Sequence, residues 1–233
     1  MYNRGVDKRV VFSDDFDMQR FFQSIEEFNV VEPIGSIYEN SFVKNNGEAK
    51  HLSKPLGHQV SKLPLVNVVC YCVNPNHYHF ILEQVADKGI EKFMQRLGNG
   101  YTKYFNNKHR RSGSLFQGVF KSIHVDTNEY LLHLSAYVNL NDRVHQLGHQ
   151  VSKLVKSRTS WGEYMGEKNT SEKNVKNIDK IQDTKLKRDF CTKDIILEQF
   201  RNKKEYREFA ESSLSGILER RADMKDVEKL LLE

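Results

Sequence analysis

The chain has 233 residues, of which 38% are hydrophobic and 11% aromatic, which is enough to bury a core and excludes wholesale disorder. Its 36 lysines and arginines outnumber 31 acidic residues, and the formal net charge of +5 is compatible with a polyanionic partner without requiring one. The sequence holds three cysteines and has neither a signal-peptide pattern nor an apolar run of ~18 residues that could span a membrane. We therefore expect a cytoplasmic protein without disulfides.

Hydrophobic periodicity and turn residues predict the elements of the first half of the chain. In order, these are a helix over 13–28 capped by Ser13, an irregular stretch over 29–63, a strand over 65–73, a strand over 77–83 and a helix over 88–107. The strand over 65–73 is almost continuously apolar, which is typical of a central strand buried on both faces.

The second half of the chain changes composition twice. A third strand is predicted over 115–125, followed by a helix over 127–140 with Asp126 as its cap. A stretch rich in Lys, Asn, Ser and Thr then suggests a polar linker, and helical spacing resumes after it. We therefore expect a folded domain over 1–155, a linker over 156–190 and a helical C-terminal extension over 191–233.

An identical octapeptide, Leu-Gly-His-Gln-Val-Ser-Lys-Leu, occurs at 56–63 and again at 147–154. Structural repeat units are usually about 20–50 residues long, so eight residues are too few to form one. We interpret the octapeptide as a sequence duplication in two loops.

Two histidines follow the Asn-Pro-Asn turn at 74–76. Side chains two residues apart in a strand share a face, so we expect His77 and His79 to project together while Tyr78 and Phe80 enter the core. Two neighbouring imidazoles can chelate a divalent metal ion, although a third ligand is normally required. Alternatively, one histidine is simply exposed and the other bonds a neighbour.

The predicted helix over 127–140 carries Tyr137, with Asn141 four residues later and His133 one turn earlier. Residues four apart lie on one helical face, so these polar groups form a stripe in which a third metal ligand can be sought. In the alternative reading, Tyr137 is a buried structural tyrosine with a satisfied hydroxyl, and Asn141 is a C-terminal helix cap.

Cations alternate with aromatic residues between Tyr101 and Lys121, among them Lys103, Arg110 and Arg111. This pattern suits phosphate contacts and base stacking on single-stranded nucleic acid. The alternative is a solvated helix face, because several of the aromatic residues also belong to the apolar stripe.

Taken together, these segments resemble the HUH single-strand DNA transposases, and within them the REP-associated tyrosine transposases. The resemblance spans about residues 1–165 and rests on Tyr2-Asn-Arg-Gly5, Cys72–His79, Arg111–Ser122, Tyr137–Asn141 and Trp161–Tyr164. Each segment alone is a weak signal, whereas their common order and spacing are specific.

The resemblance implies an α+β fold, with a ferredoxin-like antiparallel sheet and helices on one face, to which this chain adds its C-terminal helical extension. It also implies that His77 and His79 bind the metal ion, with Asn141 as third ligand, and that Tyr137 is the nucleophile. The implied metal is Mg²⁺ or Mn²⁺, of which we expect Mn²⁺ to bind more tightly beside two imidazoles.

The substrate implied by the resemblance is single-stranded DNA that carries a hairpin, such as a REP-like palindrome. A monomer or homodimer would nick and rejoin it through a covalent 5′-phosphotyrosine. The candidate DNA contacts are Arg4, Lys103, Arg110, Arg111 and Lys121.

Three positions depart from the family pattern. Few residues precede Tyr2, which predicts a short first strand; Val119 replaces a common arginine; and Asp142 replaces a proline. Two other functions therefore stay open. One is a domesticated protein that binds hairpin DNA without cleaving it, and the other is a metal-dependent hydrolytic nuclease in which Tyr137 is structural.

Overall fold

A computed structural model describes residues 1–37, 63–146, 155–167 and 190–230. It shows an α+β fold around one antiparallel sheet with strand order β1-β3-β2-β4. The strands are β1 (Tyr2–Arg4), β2 (Val66–Asn74), β3 (His77–Gln84) and β4 (Arg158–Thr159). The helices are α1 (Asp15–Phe28), α2 (Gly89–Lys108), α3 (Asn128–Asn139), α4 (Asn141–Gln146), α5 (Trp161–Met165), α6 (Asp194–Leu197) and α7 (Lys203–Leu230). No helix within the described ranges is long and apolar enough to cross a membrane.

The central hairpin joins β2 to β3 through the turn at Pro75 and Asn76. Its side chains alternate as predicted, because Tyr78 and Phe80 are each 1% exposed and lie in the core. The two histidines of β3 are only partly buried and point to the other face. The predicted separation of polar and apolar faces on this strand is therefore confirmed.

A hydrophobic core lies on each face of the sheet. Helices α1 and α2 pack on the face that carries Tyr78 and Phe80, whereas α3, α5 and α7 cover the face that carries Cys70, Cys72 and Ile81. The sheet thus lies between two helical layers, which differs from the single layer that the resemblance implied. The apolar run of β2 explains this difference, since a strand that is apolar on both faces needs cover on both.

The predicted third strand is an interrupted segment at the sheet edge. It is antiparallel to β1, but it forms only the two bridges Gly5–Phe116 and Tyr2–Lys121. Gly118, at a φ of 73°, turns the backbone outward between these bridges. The alternating sequence therefore identified the right neighbour of β1 but not the turn that breaks the strand.

The segment predicted as a polar linker begins with ordered structure. Within it, β4 pairs with β2, and Trp161 and Tyr164 of α5 are buried in the second core. These two aromatic side chains supply the apolar surface that the surrounding polar composition lacks. Residues 168–189 of this segment lie outside the described residues, as do both octapeptide copies except Leu63.

Two helices begin one residue later than predicted. The cap of α1 is Asp14 rather than Ser13, because the Asp14 carboxylate accepts the N–H of Asp17 at 2.8 Å. The cap of α3 is Thr127 rather than Asp126. In each case the residue nearest the first helical turn supplies the side-chain oxygen.

Candidate active site

The two histidines of β3 form the centre of the candidate site. Their ring centroids lie 5.2 Å apart and the rings are perpendicular. The amide oxygen of Asn76 lies 2.6 Å from Nδ1 of His77. Because an amide oxygen only accepts, this contact places the proton on Nδ1 and leaves the lone pair of His77 on Nε2.

Asn74 links His77 to Asn141 through hydrogen bonds. Its buried side-chain amide donates to Nε2 of His77 at 2.9 Å and to Oδ1 of Asn141 at 3.0 Å. Its own Oδ1 accepts the hydroxyl of Ser157 at 2.7 Å. The lone pairs of two predicted metal ligands therefore converge on one point, at the Asn74 amide.

Asn141 lies at the start of α4 rather than at the end of α3. The C-cap of α3 is Leu140, so the helix-cap interpretation of Asn141 is wrong. The side chain is fully buried, and its Nδ2 has no hydrogen-bond partner among the described residues. Asp142, where the family has a proline, forms part of the first turn of α4.

Tyr137 faces the histidine pair from α3. Its ring meets the ring of His79 edge-on at a centroid distance of 5.8 Å. The side chain is partly exposed, not sealed in the core. The structure therefore brings together His77, His79, Tyr137 and Asn141, although the histidines and the other two residues are about 60 positions apart in the sequence.

The predicted DNA contacts fall into two groups. Arg4 lies opposite His77 in the register of the sheet, and Lys121 lies opposite Tyr2, the partner of His79. The second group consists of Lys103 on α2 with Arg110 and Arg111 in the turn after it. Because α2 packs on the opposite face of the sheet, no described contact brings this second group to the histidines.

The model of the protein family described as Transposase IS200 like matches residues 36–141. This region of the chain is similar to the IS200-like transposase family. The matched region contains both histidines, Tyr137 and Asn141, and this similarity supports a transposase-type function on DNA. No curated protein and no solved structure matches the chain.

His77 and His79 supply only two ligands for a divalent metal ion, so Asn141 is needed as a third. The described residues contain no group of three or more His, Cys, Asp or Glu side chains that could hold one. Two imidazoles and an amide oxygen are suitable ligands for a divalent transition metal such as Mn²⁺. His77 Nε2 and Asn141 Oδ1 lie close together because both accept from the Asn74 amide. The single lone pair of Nε2 is used in that hydrogen bond, so Asn74 would have to release His77 before this nitrogen could bind an ion.

A buried polar network fixes α3 against the rest of the domain. The fully buried Asn139 donates to the hydroxyl of Tyr206 on α7 at 2.9 Å and accepts the hydroxyl of Ser160. The Tyr206 hydroxyl also lies 3.0 Å from Oγ of Ser135. Burial raises the pKa of Tyr206, so this hydroxyl keeps its proton. The helix that carries Tyr137 is thus tied to both the sheet and the C-terminal extension.

We expect Tyr206→Phe to lower the free energy of unfolding by about 1–3 kcal/mol, because Asn139 loses the acceptor of a buried N–H group. Urea denaturation measures this difference. The matched control is Tyr130→Phe on α3, whose exposed side chain predicts a change within about 0.5 kcal/mol. Equal stability of both variants would contradict a structural role for the network.

Proposed function

We propose that this transposase domain nicks and rejoins hairpin-bearing single-stranded DNA through a covalent 5′-phosphotyrosine on Tyr137. The observation that carries the proposal is the contact between the rings of Tyr137 and His79 at 5.8 Å, beside the converging side chains of His77 and Asn141. A phenol facing a histidine pair is an arrangement in which nucleophile and phosphate-binding groups approach the same phosphodiester.

The proposed reaction consumes no cofactor, because each bond that breaks is replaced by one that forms. The oxygen of Tyr137 attacks phosphorus, so an O–P bond to tyrosine forms while the bond from phosphorus to the 3′ oxygen breaks. The phenol loses its proton, and the leaving oxygen takes up a proton to become a 3′-OH. In the reverse direction, a 3′-OH attacks the phosphotyrosine and regenerates a phosphodiester and Tyr137.

Side chains of this domain would hold Mg²⁺ or Mn²⁺ through His77, His79 and Asn141. When bound there, a divalent ion polarises the scissile phosphate as a Lewis acid. The role of Asn76 is to fix the tautomer of His77 through the 2.6 Å contact with Nδ1. The buried Asn74 holds His77 and Asn141 together, and its hydrogen bond to Nε2 of His77 would have to break for that nitrogen to bind the ion.

The test is incubation of the protein with labelled single-stranded hairpins from the DNA that flanks its gene, with Mn²⁺ or with chelator. A protease-sensitive covalent adduct on a denaturing gel, formed only with the metal, is the expected result. Cleavage without any adduct would indicate a hydrolytic nuclease. Tight binding to several flanking hairpins without cleavage would indicate the non-cleaving hairpin-binding protein.

A further inference from the structure

We infer that the edge of the sheet beside the histidines binds the single-stranded DNA next to the scissile phosphate. This surface, the edge strip, consists of Tyr2, Arg4, Gln117 and Lys121. The inference rests on the proposed function and adds to it the path that the DNA strand takes away from the reacting phosphate.

Strand register places the edge strip on the same side of the sheet as the candidate site. In antiparallel pairing, residues directly opposite each other point to the same face. Tyr2 is opposite His79 and Arg4 is opposite His77. Lys121 is opposite Tyr2. A continuous row therefore leads outward from the histidines to the edge of the sheet.

Neighbouring side chains of this row contact each other from His79 through Tyr2 to Lys121. The ring of Tyr2 stacks on His79 at a centroid distance of 5.7 Å and an interplanar angle of 23°. The ammonium group of Lys121 lies 6.0 Å from the centroid of the Tyr2 ring. The phosphates of a strand that leaves the site along this row would thus meet the positive charge of Lys121 beside Tyr2.

Backbone hydrogen bonds hold the edge strip in place. Tyr2 and Lys121 exchange two N–H···O bonds of 2.9 Å, and the N–H of Gln117 donates to the carbonyl of Arg4 at 2.8 Å. The buried Asn3 donates to the carbonyl of Gly118 at 3.2 Å, which fixes the turn between the two bridges. The backbone of the edge strip therefore needs little ordering when DNA binds.

The charges of the edge strip are available for phosphate. The side chains of Arg4, Gln117 and Lys121 are exposed, and within the described residues neither cation forms an ion pair. The Arg4 guanidinium donates only to the neutral Gln117 amide, at 3.1 Å, among the described hydrogen bonds. This hydrogen bond orients the guanidinium without neutralising its charge.

The rival basic surface at the end of α2 offers less free charge. Lys108 lies 2.7 Å from carboxylate oxygens of both Asp14 and Asp17. Burial opposes the charge of Lys108, but its hydrogen bonds to these carboxylates outweigh burial and raise its pKa. The two carboxylates also neutralise the field around the Lys108 ammonium group.

The test compares DNA binding of two double variants in a Tyr137→Phe background, where no adduct can form. Fluorescence anisotropy of a labelled single-stranded hairpin is measured across a salt series. For Arg4→Gln with Lys121→Gln, we expect weaker binding and a slope of log K against log[salt] that is shallower by about 1.4, or ~0.7 for each lost phosphate contact. The matched control, Arg201→Gln with Lys203→Gln, removes the same charge from exposed positions that are not candidate DNA contacts, and its slope should stay unchanged.

An unchanged slope in the edge-strip variant, or an equal decrease in the control variant, would overturn the inference. Circular dichroism and thermal unfolding check that both variants fold, which is expected because all four side chains are exposed. Failure of the proposed function has a different signature. The wild-type protein would then bind the hairpin without forming an adduct, whereas the salt slopes would still report whether the edge strip binds DNA.

Discussion

Tyr137→Phe is expected to abolish the covalent DNA adduct and to lower cleavage by at least ~10³-fold, because the variant lacks the attacking oxygen. The ring is retained, so its edge contact with His79 and the packing of α3 should survive. Hairpin DNA binding should therefore equal that of the wild type. Denaturing gels measure adduct and product, and anisotropy measures binding on the same preparation.

The control for Tyr137→Phe is Tyr130→Phe, which removes an exposed hydroxyl two turns earlier on the same helix and should leave adduct formation intact. The decisive contrary result is cleavage at the wild-type rate by Tyr137→Phe without an adduct. Water rather than Tyr137 would then be the nucleophile, and the histidine pair would serve a hydrolytic reaction.

Local sequence patterns identified the two elements of the site because their side chains obey simple periodicities. The two-residue period of β3 separates the histidines from Tyr78 and Phe80, and the structure shows this separation. The four-residue spacing of Tyr137 and Asn141 does not lie within one helix, because α3 ends at Asn139 and a new helix begins at Asn141. Such patterns depend only on backbone geometry, which neighbouring elements alter little.

The rest of the site depends on contacts between segments that are distant in sequence. Asn74 was part of a recognised motif, yet its role emerges only when β2 pairs with β3 and α4 closes over them. Its place at the strand end opposite His77 is the signal that could have identified it. The hydrogen bond between Asn139 and Tyr206 joins residues 67 positions apart, and no local sequence pattern predicts it. Sequence periodicity shows which face a residue occupies, but not which distant side chain completes its hydrogen bonds.

His79→Ala is expected to lower metal-dependent cleavage by about 10³-fold, because loss of Lewis-acid stabilisation of the phosphate is worth ~4 kcal/mol. Binding of Mn²⁺, measured by calorimetry without DNA, should weaken as well, since only His77 and Asn141 remain as candidate ligands. Chelator should reduce cleavage by the wild type to the level of this variant. Adding Mn²⁺ should then restore cleavage by the wild type but not by His79→Ala.

A matched control separates the loss of this histidine from a general effect of histidine removal. His124 is exposed in the segment before α3, so His124→Ala should retain both Mn²⁺ binding and cleavage. Because His79 also stacks on Tyr2, the His79→Ala variant must be assayed at saturating DNA to exclude a binding defect. If His79→Ala kept full Mn²⁺ affinity and lost only cleavage, the imidazole would act on the phosphate or on Tyr137 directly. The metal would then have to be held by other side chains.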